Sequence, residues 1–316
     1  MSWKLASYVL LAGATVLSCA SIGILSAQGH GAGAAEAVTY AAKPTALTPY
    51  TPPHRPHTRL ADVKARHKGE AEWSEWVVKD DSLWSQYIQS APGGKVSLRF
   101  HPDTREWWVI LEGQLRFEIE GQAPFVARRR SMVQVPPQTI YSMETIGSQP
   151  AIRFETNIPN ATTMFPQPPQ FQKPGIEFLP VRLDRHPFPY GHNNKPHTNL
   201  DDLVAADPNY NGSRFVHDDR AVSNIIYGYS SKLPPVNDSN RGHYHPESSE
   251  FWVILQGTIR YPIEGQGVIL ATEGDVVYVP RFTFHAPRWW GDGPSCRLAM
   301  NGYPDIAHIR SAAPPL

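Results

Sequence analysis

Three histidines and one glutamate in the C-terminal half have the residue types and the spacing of metal ligands. Side chains of a β-strand alternate between its two faces, so His243 and His245 point to the same side of an extended segment. Neutral imidazoles and a carboxylate are ligands that divalent first-row transition metals prefer. We therefore predict one metal site with four ligands: His243, His245, Glu250 and His285.

The elements that must position these ligands are short strands separated by turns. Residues 246–249 have the composition of a turn, and Glu250 opens an apolar strand that ends at Gly257. We expect two antiparallel strands joined by that turn to bring both imidazoles and the carboxylate onto one inner surface. His285 follows a second apolar strand that begins after Gly274.

The spacing H-x-H-x(4)-E-x(6)-G, followed by G-x(5)-P-x(4)-H, resembles the two motifs of the cupin superfamily. The resemblance implies a small β-barrel whose metal is held by three histidines and one glutamate, and all four ligand positions are filled here. Two other positions depart from the family pattern. Arg288 replaces the usual Asn three residues beyond His285, and Phe282 replaces a Gly. Neither is a ligand position.

The same pattern occurs earlier in the chain. Residues 106–121 read EWWVILEGQLRFEIEG and residues 250–265 read EFWVILQGTIRYPIEG, with ten of sixteen positions identical at an offset of 144. A repeat of this length exceeds the range of solenoid repeats and indicates a duplicated domain. With the resemblance, it predicts an all-β chain of two tandem cupin barrels, each a double-stranded β-helix or jelly roll.

The first copy has kept only part of the ligand set. At the offset of 144, the four ligand positions are occupied by Arg99, His101, Glu106 and Tyr141. Arg99 has no lone pair to offer, and Tyr141 would have to ionise far below its normal pKa. We therefore predict that the first barrel holds no metal. We favour a structural remnant in which Arg99 pairs with Glu106; the alternative is a pocket in which Arg99 binds an anion.

The composition divides the chain into five predicted segments. They are a signal peptide (residues 1–37), a Pro-rich N-terminal arm (residues 38–72), a first cupin domain (residues 73–165), a linker or lid (residues 166–205) and a second cupin domain (residues 206–311). Lys4 and the apolar run that follows it are typical of a signal peptide. The alternatives are an uncleaved membrane anchor and a lipoprotein signal ending at Cys19. Each of them implies export, to the periplasm or beyond, or attachment to the membrane.

Two further stretches between and before the barrels contain histidines. Pro at the density of residues 38–69 opposes both a helix and a central strand, so we expect an extended arm with His54 and His57 in solvent. Three more histidines lie in the linker. They suggest a second metal site or, as we prefer, a surface loop over a barrel mouth: His186, His192 and His197. Asn199 is expected to cap a short helix over residues 199–206, and strands of the second barrel should begin near residues 214–216.

The charge balance and the motifs limit the possible classes of function. The 29 basic residues balance the 29 acidic ones, which argues against a nucleic-acid binder. We expect one divalent transition metal per chain, with iron or manganese favoured, and a small-molecule substrate. Neither nucleic acid nor, after signal cleavage, a membrane is expected as a partner. Self-association into a homo-oligomer is left open.

An oxygenase-like oxidoreductase acting on a small aromatic or carboxylated molecule is the favoured activity. Aromatic side chains beside the motifs suit a flat apolar substrate, and the pocket candidates are Trp252, Phe282 and Phe284. One alternative is a decarboxylase, lyase or isomerase resembling the oxalate-decarboxylase type of bicupin, although such enzymes typically keep ligands in both barrels. The other is a bicupin that binds a ligand without catalysis.

Overall fold

A computed structural model describes residues 43–166, 190, 194–218, 220–302 and 308–310. The predicted signal peptide at residues 1–37, together with His186 and His192, lies outside these residues. Within them, strands dominate and the helices are short, which confirms the all-β prediction. No helix in the described part of the chain has both the length and the apolar character needed to cross a lipid bilayer.

The first barrel is formed by two sheets that face each other. Its strands are β2 (Trp73–Lys79), β3 (Trp84–Ser90), β4 (Lys95–Arg99), β5 (Glu106–Glu112), β6 (Gln114–Ile119), β7 (Phe125–Arg128), β8 (Ser131–Val135), β9 (Tyr141–Thr145) and β10 (Ala151–Asn157), joined by β11 (His197–Asn199). The larger sheet has the order β11-β8-β5-β10-β3-β2 and the smaller one β4-β9-β6-β7. The apolar faces of β5 and β6 meet between the sheets.

The second barrel repeats this plan. Its strands are β12 (Gly212–His217), β13 (Ala221–Tyr229), β14 (His243–Tyr244), β15 (Glu250–Gln256), β16 (Thr258–Ile263), β17 (Gly267–Thr272), β18 (Val276–Val279), β19 (Arg288–Trp290), β20 (Pro294–Gly302) and β21 (Ile309–Arg310), joined by β1 (His57–Thr58). A 3-10 turn lies at Ser230–Lys232. The larger sheet runs β1-β18-β15-β20-β13-β12, the same order as in the first barrel, and faces β17-β16-β19 and the pair β14-β21. Both tandem barrels are therefore present, as predicted.

The duplication extends to a backbone conformation that residues other than glycine rarely adopt. Gln138 and Phe282 occupy equivalent positions and have φ angles of 60° and 59°. The left-handed region costs a residue with a Cβ about 1–2 kcal/mol, which is why a Gly is usual there. The loop before His285 therefore keeps its backbone path although Phe282 replaces the Gly.

The Pro-rich arm contains a helix, so the expectation of an extended segment throughout is wrong. Its prolines end at Pro56, and helix α1 (Leu60–Arg66) follows with Leu60 and Val63 buried. Strand β1 pairs with β18 of the second barrel, His57 opposite Val277. An edge strand with few partners tolerates neighbouring prolines.

The linker carries the equivalent unit. Strand β11 pairs with β8 of the first barrel, and helix α2 (Leu200–Ala206) follows it. Asn199 caps this helix as predicted, accepting hydrogen bonds from the backbone N–H groups of Asp201 and Asp202 at 3.0 and 3.4 Å. Each barrel is thus completed by the strand and helix that precede the other barrel. Strand β12 likewise covers residues 214–216, where we expected the second barrel to begin.

A shared apolar layer joins the two barrels. Strands β5 and β15 are apolar on both faces, and Trp252 and Ile254 turn into the second barrel. Their neighbours Phe251, Val253 and Leu255 pack in a cluster that also contains the outward face of β5. The second apolar face of each strand is therefore covered by the other barrel.

Candidate metal centre

The four predicted ligands come from opposite walls of the second barrel. Glu250 opens β15 in the larger sheet, whereas His243 lies on β14 and His245 just beyond it. His285 exchanges backbone hydrogen bonds with His243, at 3.1 and 2.9 Å. The expected pairing between the strands of His243 and Glu250 is wrong, because β14 pairs with β21 instead. The barrel closure, rather than a hairpin, brings the carboxylate to the imidazoles.

The ligand atoms of these four side chains lie within 4.8 Å of one another. The Nε2 atoms of His245 and His285 are 2.9 and 3.0 Å from Glu250 Oε2, and that of His243 is 4.0 Å away. Ligands about 2.1 Å from a common ion are about 3 Å apart at right angles and about 4.2 Å apart across it. The donor set and the three distances to Glu250 Oε2 therefore fit one octahedral ion, with open positions left over.

Burial and hydrogen bonds fix the protonation of this group. Burial raises the pKa of the Glu250 carboxyl, but the contacts from His245 and His285 outweigh it and hold that pKa well below its usual range. Burial lowers the pKa of His243, and the neighbouring imidazoles lower it further, so His243 is neutral at pH 7. His285 Nδ1 lies 2.9 Å from the carbonyl oxygen of Thr283. Donation to that carbonyl leaves Nε2 facing the site.

The equivalent site of the first barrel is closed by charge pairing. His101 Nε2 lies 2.9 Å and Arg99 Nη2 lies 3.8 Å from Glu106 Oε2, and the Tyr141 hydroxyl donates to the same oxygen. Burial raises the pKa of Tyr141 far above its usual value, so its hydroxyl stays neutral. Among the described residues, a cluster of metal ligands forms only in the second barrel. The contacts favour the remnant interpretation over an anion pocket at Arg99.

Comparison with known proteins agrees with the two barrels. The sequence matches the family described as Cupin domain over residues 86–155 and again over residues 231–300. The chain is a two-domain cupin protein. No curated protein matches the sequence of this bicupin significantly.

Solved structures resemble the bicupin in fold. One is the Cupin 2 conserved barrel domain protein from Leptotrichia buccalis, 12% identical, with a TM-score of 0.51 over 75% of this chain and 91% of that chain. Oxalate decarboxylase from Bacillus subtilis is 18% identical, with a TM-score of 0.46 over 76% and 74%. Protein Ylba from E. coli is 12% identical, with a TM-score of 0.48 over 75% and 86%. At such identities, the likeness concerns the fold alone.

The predicted pocket residues divide into two groups in the bicupin. Trp252 is buried beside the ligands, with its ring centroid 5.3 Å from that of His285. Phe282 and Phe284 pack instead with Tyr244 in a small apolar cluster. The guanidinium of Arg241 lies 4.1 Å from the Phe284 ring centroid. Trp252 is therefore the pocket candidate in contact with a ligand, and the role of the two phenylalanines stays a prediction.

Two residues near the centre were not identified from the sequence. His308 lies just before β21, with its ring centroid 4.5 Å from that of His243 and 4.7 Å from that of His245. Nothing in the repeat signals it. Asn301 is buried directly opposite Glu250 in the sheet register, and its Nδ2 has no hydrogen-bond partner among the described residues. Its equivalent in the first copy is Asn157, so a longer comparison of the repeats would have found it.

The histidines of the arm and linker have structural partners. His54 accepts the backbone N–H of Lys79 at 2.9 Å, and His57 Nε2 lies 2.9 Å from Asp275 Oδ2. The expectation that they lie in solvent is wrong, because β1 docks on the second barrel. His197 lies 2.9 Å from the Ser131 hydroxyl, the position equivalent to Asp275. It therefore anchors β11 and supplies no support for a second metal site.

Proposed function

We propose that this bicupin is a metal-dependent enzyme whose second barrel acts as an oxygenase-like oxidoreductase centre on a small aromatic or carboxylated molecule. The observation that carries the proposal is the convergence of three imidazoles and one carboxylate within 4.8 Å. A bound iron or manganese ion would supply Lewis acidity and one-electron redox chemistry there. One ion per chain is expected, because Arg99 and Tyr141 close the first site.

The surrounding residues of the second barrel have distinct tasks in this proposal. Glu250 is held ionised by its imidazole neighbours, so it serves as a ligand and leaves proton transfer to other groups. The Asn301 Nδ2, which has no hydrogen-bond partner within the described ranges and lies at the level of Glu250, is available to donate a hydrogen bond to a substrate oxygen. Trp252 provides an apolar wall that excludes water beside His285.

A carboxylated substrate suits the donor set of this centre. Four protein ligands leave open positions on an octahedral ion, and a substrate carboxylate can supply an oxygen ligand there. The same donor set supports a metal-dependent decarboxylase of small diacids as the second candidate.

The cellular setting of the proposal rests on the first residues of the chain. The apolar run within residues 1–37 supports export, with the substrate met outside the cytoplasm. Export and any self-association are tested by fractionating cells that produce the full chain and by measuring the mass of the purified protein in solution.

Metal analysis tests the centre directly. Protein isolated without added metal should contain close to one transition-metal ion per chain by mass spectrometry of the elements. His245→Ala should remove it, because one of the four ligands is lost. His101→Ala changes the equivalent residue of the first barrel and serves as the control, with metal content as in the wild type. If the wild type contained no metal, the result would contradict the metal-dependent enzyme and favour a bicupin that binds a ligand without catalysis.

Substrate assays separate the two candidate reactions. Oxygen uptake in the presence of catechols, hydroxybenzoates or diketones, lost in His245→Ala, would support the oxidoreductase. Release of carbon dioxide from small diacids without oxygen uptake would support the decarboxylase. Neither activity in the metal-loaded protein would contradict both, even with the metal content as predicted.

A further inference from the structure

A cavity of about 400 Å³ opens into the first barrel at the end opposite its remnant site. Arg153 lines it and pairs with Ile110, four residues along β5 from Glu106, or about 13 Å of extended strand. Its other walls include residues with apolar side chains in the interior cluster of the barrel, such as Met143 and Leu115. The volume lies within the range of sites for small organic ligands.

Two buried polar atoms beside this cavity have no hydrogen-bond partner in the described part of the chain. Arg153 is 4% exposed; its Nη1 donates to the Ser90 hydroxyl at 2.6 Å, but its Nε has no hydrogen-bond partner among the described residues. Thr145 is 1% exposed, and its hydroxyl also lacks a partner there. Unpaired buried polar groups are costly and uncommon. Their presence around a cavity indicates a ligand with hydrogen-bonding oxygens.

The charges around Arg153 leave it only partly neutralised. Glu155 Oε2 lies 3.7 Å from Arg153 Nε, too far for a hydrogen bond, and 3.8 Å from Arg99 Nη2. The same carboxylate accepts hydrogen bonds from Trp108 and Gln86, at 2.8 and 3.2 Å. Glu155 is therefore shared between two guanidinium groups, and Arg153 can accept a further anion.

The rim of the cavity carries both signs of charge. Lys95 lines it and pairs with Glu144 at 3.5 Å, and the carboxylate of the exposed Glu72 lies beside Gly94 on the same rim. Charges at such exposed positions are screened by solvent. The buried guanidinium is thus the group that decides the sign of the preferred ligand.

The second barrel shows what a filled version of this space looks like. Trp289 stands at the position equivalent to Thr145, is 6% exposed and packs in the interior cluster of its barrel. Its ring lies so close to Gly228 that a Cβ there would come within 2.5 Å. The cavity of the first barrel therefore exists because a threonine replaces an indole in the duplicated unit.

We propose that this cavity binds a small organic monocarboxylate, with its carboxylate on Arg153 and Thr145 and its apolar body against Met143 and Leu115. The site is separate from the metal centre and does not depend on the proposed reaction. Benzoate is a suitable probe, because it has one carboxylate and a compact apolar body. Benzamide has nearly the same shape without the charge.

Calorimetric titration of the full chain tests the site. Benzoate should bind saturably, with one equivalent per chain, and benzamide should bind about tenfold or more weakly, because a hydrogen bond to a charged group is lost. Thr145→Trp copies the second barrel and should abolish benzoate binding. Arg153→Met should weaken it about tenfold or more. Arg116→Met removes a half-exposed arginine from the same barrel and should bind benzoate as the wild type does.

The outcomes that overturn the proposal are equally defined. They are the absence of saturable benzoate binding to the wild type, binding that survives Thr145→Trp, and equal affinity for benzamide. Binding that survives Thr145→Trp but disappears in His245→Ala would place the ligand at the metal centre. If Arg153→Met fails to fold, Thr145→Trp and benzamide still decide the question.

Discussion

Glu106 and Glu250 occupy equivalent positions of the two barrels, and their neighbours determine what each buried carboxylate can do. Glu250 is surrounded by imidazoles, which have lone pairs to share with an ion. Glu106 is compensated by Arg99, a permanent cation, and by one histidine. Burial raises the pKa of both carboxyls, and in both barrels the partners outweigh burial and lower it. The same backbone therefore supports a metal site or an ion pair according to two side chains.

That contrast predicts that the lost metal site can be rebuilt. Arg99 and Tyr141 face each other in the register of β4 and β9, just as His243 and His285 form a backbone bridge. The double variant Arg99→His with Tyr141→His should therefore raise the metal content from about one to about two ions per chain, because it restores all four ligand types. Elemental analysis after dialysis against iron or manganese measures it.

The single variant Arg99→His serves as the control, since Tyr141 would still withhold a ligand. It should leave the metal content near that of the wild type. A double variant that folds but gains no second ion would show that the first barrel has diverged in more than these two side chains.

The sequence was sufficient to predict the four candidate ligands and insufficient for the rest of the centre. Four residues at fixed spacing carry a signal that survives without a structure. Asn301 lies outside the compared repeat, and its position depends on sheet register. His308 approaches the site only because β21 pairs with β14. Contacts made by barrel closure are not encoded in local spacing.

At the scale of elements, the two barrels exchange their first strand and helix. The sequence HTRL at residues 57–60 recurs as HTNL at residues 197–200, and each begins a strand on the other barrel. Repeat and strand pattern were enough to predict the barrels. Helix α2 was predicted from its Asn199 cap, but strand β11 before it and the whole first unit were missed, because a linker composition masked the strand and prolines masked the first unit. Which sheet edge a short strand joins is decided by tertiary contacts.

The exchanged arm should loosen in mild acid. His54 accepts a hydrogen bond from the Lys79 N–H, so protonation of His54 removes that bond. Burial lowers the pKa of His54, and the negative charge of Asp80 only partly offsets this effect. An unfolded histidine binds a proton near pH 6.5, whereas the folded one does so at lower pH. The unfolded state therefore binds more protons in that window, and stability falls as the pH drops below about 6.5. Urea unfolding at pH 7.5 and 5.5 measures the loss.

A glutamine at this position separates His54 from other titrating groups. His54→Gln keeps an acceptor that does not titrate, so its loss of stability between the two pH values should be smaller than that of the wild type. His67→Gln changes another histidine of the same segment, whose partners are the carboxylates of Glu70 and Glu75, and serves as the control. An equal loss in the wild type and His54→Gln would contradict the assignment.

At the scale of the whole molecule, ion pairs at the edge of the interface link the barrels. Glu273 accepts hydrogen bonds from Arg129 at 2.5 Å and from Arg130 at 2.8 Å, and it is partly buried. Burial raises the pKa of Glu273, and the two arginines outweigh it. Glu273→Gln should therefore lower the free energy of unfolding by about 1–3 kcal/mol at pH 7.

The exposed pair Arg116–Glu118, at 3.5 Å within one barrel, is the matched control. Glu118→Gln should change the free energy of unfolding by less than about 0.5 kcal/mol, because solvent screens such pairs. Denaturant unfolding of both variants decides the point. Equal effects would show that the contact between the barrels carries no more energy than a surface pair.

We expect the shared apolar layer to make the two barrels unfold as one cooperative unit. Phe251 of the second barrel and Phe154 of the first pack edge to face, 6.5 Å apart, and Trp107 Nε1 donates to Met300 Sδ at 3.5 Å. Unfolding either barrel would expose the apolar face of the other to water. This exposure costs about 25 cal/mol of free energy for each Å² of apolar surface. Phe251→Ala should lower the free energy of unfolding by about 3–5 kcal/mol. In calorimetry, it should shift one single unfolding transition of the whole chain to lower temperature. Val268→Ala, at a site 52% exposed, should leave it in place. Two transitions, of which Phe251→Ala lowers only one, would show that the barrels fold independently.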